Sequence, residues 1–126
     1  MPTLKSERFL FEIDSWKRIL LFLMEESSLL KNELIRILEG NTAKKNLDIV
    51  DYYQNALFNE DKVLNMFRKD LTQQEKKITS LSQRNAAEKT TAIVSQQQKL
   101  RKDIELIERY FNKLKFEFIR FYVDLS

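Results

Sequence analysis

The sequence predicts an all-α protein: an antiparallel up-down-up bundle of three long, coiled-coil-like helices, which dimerisation would complete into a larger bundle. Three observations carry that expectation. Apolar residues recur at alternating steps of three and four along most of the 126 residues, which holds one stripe along one side of a helix. A single Gly and a single Pro are far below average usage, so long helices with short turns are expected and almost no strand. The run from Ile19 to Met24 is apolar on every side, and one seam cannot bury it, so it needs more than one neighbour.

Helix 1 is expected over about residues 6–39. Its seam is Phe9, Ile13, Trp16, Leu20, Leu23, Ser27, Leu30, Leu34 and Ile37. Ser6 can cap the first turn and Glu7 suits the positive end of the helix dipole. Gly40, the only glycine, follows the last seam residue, where a C-cap favours a residue without Cβ. Asn41 and Thr42 then offer caps for a returning helix.

Helix 2 is expected over about 43–81, with a seam from Ala43 through Val50, Tyr53, Leu57, Glu60, Leu64, Phe67, Leu71 and Gln74 to Leu81. Asn59-Glu60-Asp61 is its weakest point, because poor helix formers meet a charged seam position. The register is the same on both sides, which favours one continuous helix over a break. No Gly or Pro marks the second reversal; the polar stretch Ser80 to Asn85 places it near Arg84, with Ser82 or Asn85 as caps. Helix 3 is then expected over about 85–124, its seam running from Ala86 through Ile93, Gln97, Leu100, Ile104, Ile107, Phe111, Leu114 and Phe118 to Leu125.

Folding helices 2 and 3 about residue 84 sets Val50 opposite Phe118, Leu57 opposite Phe111, Leu64 opposite Ile104 and Leu71 opposite Gln97. Folding helix 1 back at Gly40 sets Leu30 opposite Val50, Trp16 opposite Leu64 and Phe9 opposite Leu71. Helix 1 then runs out near residue 71. Residues 72–97 are left as a polar hairpin tip, with at most the N-terminal residues to cover it, where the seams carry Gln74, Thr90 and Gln97.

One domain is all this length supports. Lys and Arg number 22 against 19 Asp and Glu, a net charge of +3 with the signs interleaved, which does not mark a polyanion partner. The chain has no Cys and no His, so thiolate and imidazole metal sites, haem ligation, cysteine nucleophiles and imidazole acid-base catalysis are all closed to it. No metal and no cofactor are expected. Adjacent acids such as Glu25-Glu26 and Glu60-Asp61 point about 100° apart on a helix and make no catalytic dyad. Phosphate-binding loops need glycines the chain lacks, and a non-enzymatic protein is expected. The longest apolar run falls far short of the ~20 residues of a membrane span, and the first residues lack signal-peptide features. A cytoplasmic protein follows as the expectation.

Several apolar residues fall off the seams. Phe22, Leu29, Ile35, Tyr52, Phe58, Phe116, Ile119 and Val123 are the expected self-association surface, gathered toward the end of the bundle where helices 1 and 3 finish. At about 25 cal/mol per Å² of apolar surface, burying a handful of such side chains is worth several kcal/mol. A two-fold homodimer is the simplest outcome.

Ser15-Trp16-Lys17-Arg18, the stretch Met66 to Leu71, Gln98 to Glu105 and Phe111 to Phe118 together resemble a group of short, uncharacterised all-helical bacterial proteins. The resemblance implies a helical fold and nothing about a substrate. Two functional readings follow from the residues. The first is an interaction or scaffold module that self-associates and offers a helical face to a protein partner. The alternative is a peripheral nucleic-acid or anionic-membrane-surface binder using the basic face of helix 3, Lys99, Arg101, Lys102, Lys113, Lys115 and Arg120. Interspersed Asp103, Glu105, Glu108 and Glu117 disfavour the alternative, and nucleic acid is not the expected partner. A small apolar ligand between the helices is a third reading, which needs a cavity.

Overall fold

A computed structural model describes residues 4–40, 46–81 and 86–125. Three helices account for nearly all of them: α1 (Leu4–Glu39), α2 (Leu47–Thr79) and α3 (Ala86–Leu125). α2 runs antiparallel to both neighbours. Lys17 pairs with Glu75 and Lys31 with Asp61 across α1 and α2, while Glu12 with Arg101 and Glu26 with Lys115 show α1 and α3 to be parallel. The bundle is the three-helix, up-down-up arrangement the seams predict.

The seam residues form the core. Ile13, Leu20 and Leu34 of α1, Val50, Leu57, Leu64 and Leu71 of α2, and Leu100, Phe111 and Phe118 of α3 are all essentially sealed from solvent. Trp16 is buried among them. Near the end of α3 the core turns aromatic: the Tyr53 ring meets Phe118 edge-on at 5.3 Å and stacks on Phe121 at 5.5 Å. Such ring pairs are worth about 0.5–1.5 kcal/mol beyond the area they bury.

α2 passes through Asn59-Glu60-Asp61 without a break. Glu60 turns into the core, and Asp61 accepts a hydrogen bond from Ser27 Oγ and an ion pair from Lys31, so the charged stretch is bound into the helix interface. Gly40 donates its backbone N–H to Ile37 O at 3.1 Å and closes α1. Ser6 is not the cap expected of it, because α1 already begins at Leu4. The expected caps Asn41, Thr42, Ser82 and Asn85, the seam residue Ala43 and the reversal at Arg84 lie outside the described residues.

The α2–α3 register agrees with the expected pairing to within a turn, Tyr53 lying on Phe118 and Gln74 on Gln97. The α1–α2 register does not. Fold-back at Gly40 puts Trp16 opposite Leu64, yet Lys17 reaches Glu75 and Ser27 reaches Asp61, a slide of about two to three helical turns. The interval from Glu39 to Leu47 sets the returning helix farther along than a reversal at Gly40 allows. As a result α1 does not run out at residue 71. Its first turns reach Leu81 and Ile93, where Lys5, Ser6, Phe9 and Thr90 share a small cavity of about 80 Å³ with them. Among the described residues of the expected polar tip over 72–97, Gln74, Ile78, Ile93 and Gln97 are buried.

Candidate functional site

Polar residues on the seams make two buried layers. In the first, Gln74 of α2 donates through Nε2 to Ile93 O at 2.8 Å and to Gln97 Oε1 at 3.0 Å. Gln97 Nε2 in turn donates to Phe9 O at 3.2 Å and to Glu12 Oε1 at 2.9 Å. Arg101 closes the chain with a two-pronged contact on Glu12, at 2.7 and 2.8 Å. Burial opposes ionisation of Glu12, but hydrogen bonds from Arg101 and Gln97 and the Arg101 charge outweigh it and hold the carboxyl below its ordinary value. This layer ties all three helices together. The amide donors of Gln74 and Gln97 and the carboxylate of Glu12 are all engaged, while Gln74 Oε1 is buried without a partner among the described residues, and the layer is a locking device and not a reactive one.

In the second layer, buried Ser27 and half-buried Lys31 of α1 both donate to half-buried Asp61, whose neighbour along α2 is the buried Glu60. Glu60 is 3% exposed, and its Oε1 has no hydrogen-bond partner among the described residues. Burial alone pushes its carboxyl up to about 7. Glu60 lies at the floor of an open groove between α2 and α3, about 340 Å³, whose walls are Asn59, Val63, Leu106, Ile107 and Tyr110. A further concavity of about 310 Å³ shares Val63, Leu106 and Ile107 and extends the groove to Asp70, Lys99 and Asp103. Its walls are apolar and largely exposed, Val63, Met66, Leu106 and Tyr110 among them, and it holds one buried acid without a partner. That combination suits an apolar surface carrying a cation. No group of acidic residues able to hold a metal occurs among the described residues.

All eight residues expected to mediate self-association are exposed. The structure brings three of them together: Phe116, Ile119 and Val123 share a shallow face of α3 with Lys113 and Arg120. The others are spread around the bundle. Phe22 and Leu29 flank Glu26 on the α3 side of α1, whereas Ile35 lies one turn beyond Lys31 on the α2 side. Phe58 lies one turn before Asp61 on the α1 side of α2, with Lys62 Nζ 4.5 Å from its ring centroid. Tyr52 is on the opposite, α3 side, in line with Asn59. The eight do not make one continuous face.

Sequence reasoning passed over the α2–α3 groove. Its signal was present: Val63, Met66, Leu106 and Tyr110 sit one step off the seams, on the edges where two helices meet, and Glu60 is a charge on an apolar seam. The basic residues of α3 are partly engaged within the bundle, Lys99 with Asp103, Arg101 with Glu12 and Lys115 with Glu26. No helix among the described residues is long and apolar enough to cross a membrane. Comparison with protein-family models, curated proteins and solved structures gives no match.

Proposed function

We propose that this chain is a non-enzymatic interaction module, a rigid three-helix bundle that self-associates and docks another helix through its exposed apolar surface. The observation that carries the reading is the groove over Glu60. Apolar side chains stand open to solvent along its walls, and its floor holds a carboxyl that burial disfavours and no neighbour compensates. A free bundle gains nothing from this arrangement; an occupant with an apolar body and a positive charge relieves both costs. The absence of His and Cys leaves little with which to build a catalytic centre. The cytoplasmic setting expected from the sequence forms part of the same proposal.

The nucleic-acid or anionic-membrane alternative draws on the same α3, but three of its cations already have carboxylate partners. Sedimentation equilibrium from low to several hundred micromolar tests the proposal. A mass that climbs above the 15.2 kDa monomer with concentration is expected, with a melting temperature that rises alongside it. A species fixed at monomer mass, together with salt-sensitive retention of RNA or anionic vesicles, would transfer the reading to the alternative.

A further inference from the structure

The α2 side of α3 carries one stripe from Lys99 to Asp124, its members separated by alternating steps of four and three. Neighbouring groups establish which way it faces. Lys99 feels the charge of Asp70 on α2, Tyr53 on α2 feels that of Glu117, and Leu106 and Tyr110 wall the groove over Glu60. This stripe reads as its own complement when reversed. Laid antiparallel on a second copy about a two-fold axis beside Phe111 and Asn112, Lys99 meets Asp124 and Asp103 meets Arg120. Nearer the axis Tyr110 meets Lys113, a cation over an aromatic ring, and Leu106 meets the stem of Glu117.

We infer that the occupant of the α2–α3 groove is α3 of a second copy of this chain, crossing antiparallel so that each copy fills the groove of the other in a two-fold dimer. The inference rests on the reading of the chain as an interaction module and names its partner and its surface. Opposite charges meet at both outer positions of the stripe, and symmetry repeats each pair, giving four ion pairs that extend the Lys99–Asp103 pair within each copy and that a parallel register does not reproduce. A seven-residue shift also sets four opposite charges face to face, Lys99 on Glu117 and Asp103 on Lys113, but it leaves Arg120 and Asp124 unpaired and takes Lys113 away from Tyr110. Lys113 of the second copy crosses Tyr110 above Glu60, which brings a cation toward the unpartnered carboxyl. The size is adequate. From Lys99 to Asp124 the helix is about 38 Å long, and two helices side by side are about 20 Å wide, so each copy contributes on the order of 750 Å², close to one partner's share of a standard interface. Met66 and Val63 of α2 flank the crossing and add apolar area to it.

Charge reversal tests the register on the full chain. D103R, R120D and the double variant D103R/R120D are compared with the parent by sedimentation equilibrium at low ionic strength. Arg120 is exposed and Asp103 half-buried, and far-ultraviolet spectra with dilute-solution melting establish that each variant folds. Each single variant sets two like-charged pairs face to face and is expected to weaken the dimer about tenfold or more. The double variant restores both pairs with their signs exchanged and is expected to return to within about threefold of the parent. If the parent dimerises and the single variants dimerise equally well, or the double variant stays as weak as the worse single one, this register is overturned while the interaction reading stands. A parent that remains monomeric throughout overturns both.

Discussion

Gln74 of α2 and Gln97 of α3 meet in the interior of the bundle, Nε2 to Oε1 at 3.0 Å, with both side chains almost wholly removed from solvent. The two amides occupy seam positions in a core that is otherwise mostly apolar. Gln97 passes the connection on to Phe9 O and Glu12 of α1, so one polar chain fixes the axial position of three helices at once. An apolar seam cannot do this, because a seven-residue slide returns apolar to apolar. Any such slide would bury these amides unpaired, at about 1–3 kcal/mol for each stranded group.

Replacing both amides should therefore cost less than the sum of replacing each. Gln97→Leu is expected to destabilise by about 1–3 kcal/mol, because it strands Gln74 and unties Glu12, while Gln74→Leu/Gln97→Leu should fall well short of the summed single losses. Urea denaturation followed by the fluorescence of buried Trp16 measures all three. Strict additivity would refute the coupling.

Glu60 should make the dilute monomer less stable as pH rises. Its carboxyl is raised from 4.5 to about 7 in the folded state, so folding holds a proton that the unfolded chain releases. The associated stability is complete below the ordinary value and is lost as pH climbs through about 7, on the order of 2–3 kcal/mol. Glu60→Leu should remove that slope and leave the variant the more stable of the two at about pH 8. A parent whose urea midpoint does not change between about pH 5 and pH 8 would count against this account.

Glu12 leans the other way. Its carboxyl is held low, so its contribution is present above the ordinary value and disappears as pH falls through the lowered one. Arg101 is substantially exposed, which limits the pair to under about 1 kcal/mol. Carboxyl NMR titration should show Glu12 returning toward 4.5 in Arg101→Gln, and an unchanged titration would remove Arg101 from the explanation.

Two phenylalanines on α3 should separate core from surface. Phe111 is 0% exposed and Phe116 is 67% exposed. Phe111→Ala is expected to cost about 3–5 kcal/mol through lost burial and the cavity left behind. Phe116→Ala should stay within about 0.5 kcal/mol in dilute solution. Equal losses in chemical denaturation would contradict the burial assignment of one of them.

Residue spacing alone determined that the chain forms three helices, that α2 continues through Asn59-Glu60-Asp61, and that Trp16, Leu64 and Phe111 face the core. It also set α3 against α2 to within a turn, because the polar stretch Ser80 to Asn85 coincides with the interval between Thr79 and Ala86, whereas Gly40 lies at the very start of the interval between Glu39 and Leu47. Only the tertiary structure decided where α1 sits along them. A seam that repeats every seven residues matches itself at each repeat, and what picks one repeat is contact between particular polar groups: Ser27 with Asp61, Lys17 with Glu75, Gln97 with Phe9 O. Gln74 and Gln97 read along the chain as a polar tip, and become a buried lock once α1 advances about two to three turns to cover them. The groove over Glu60 likewise belongs to no single helix; it exists because the edges of α2 and α3 leave a buried carboxyl between apolar walls.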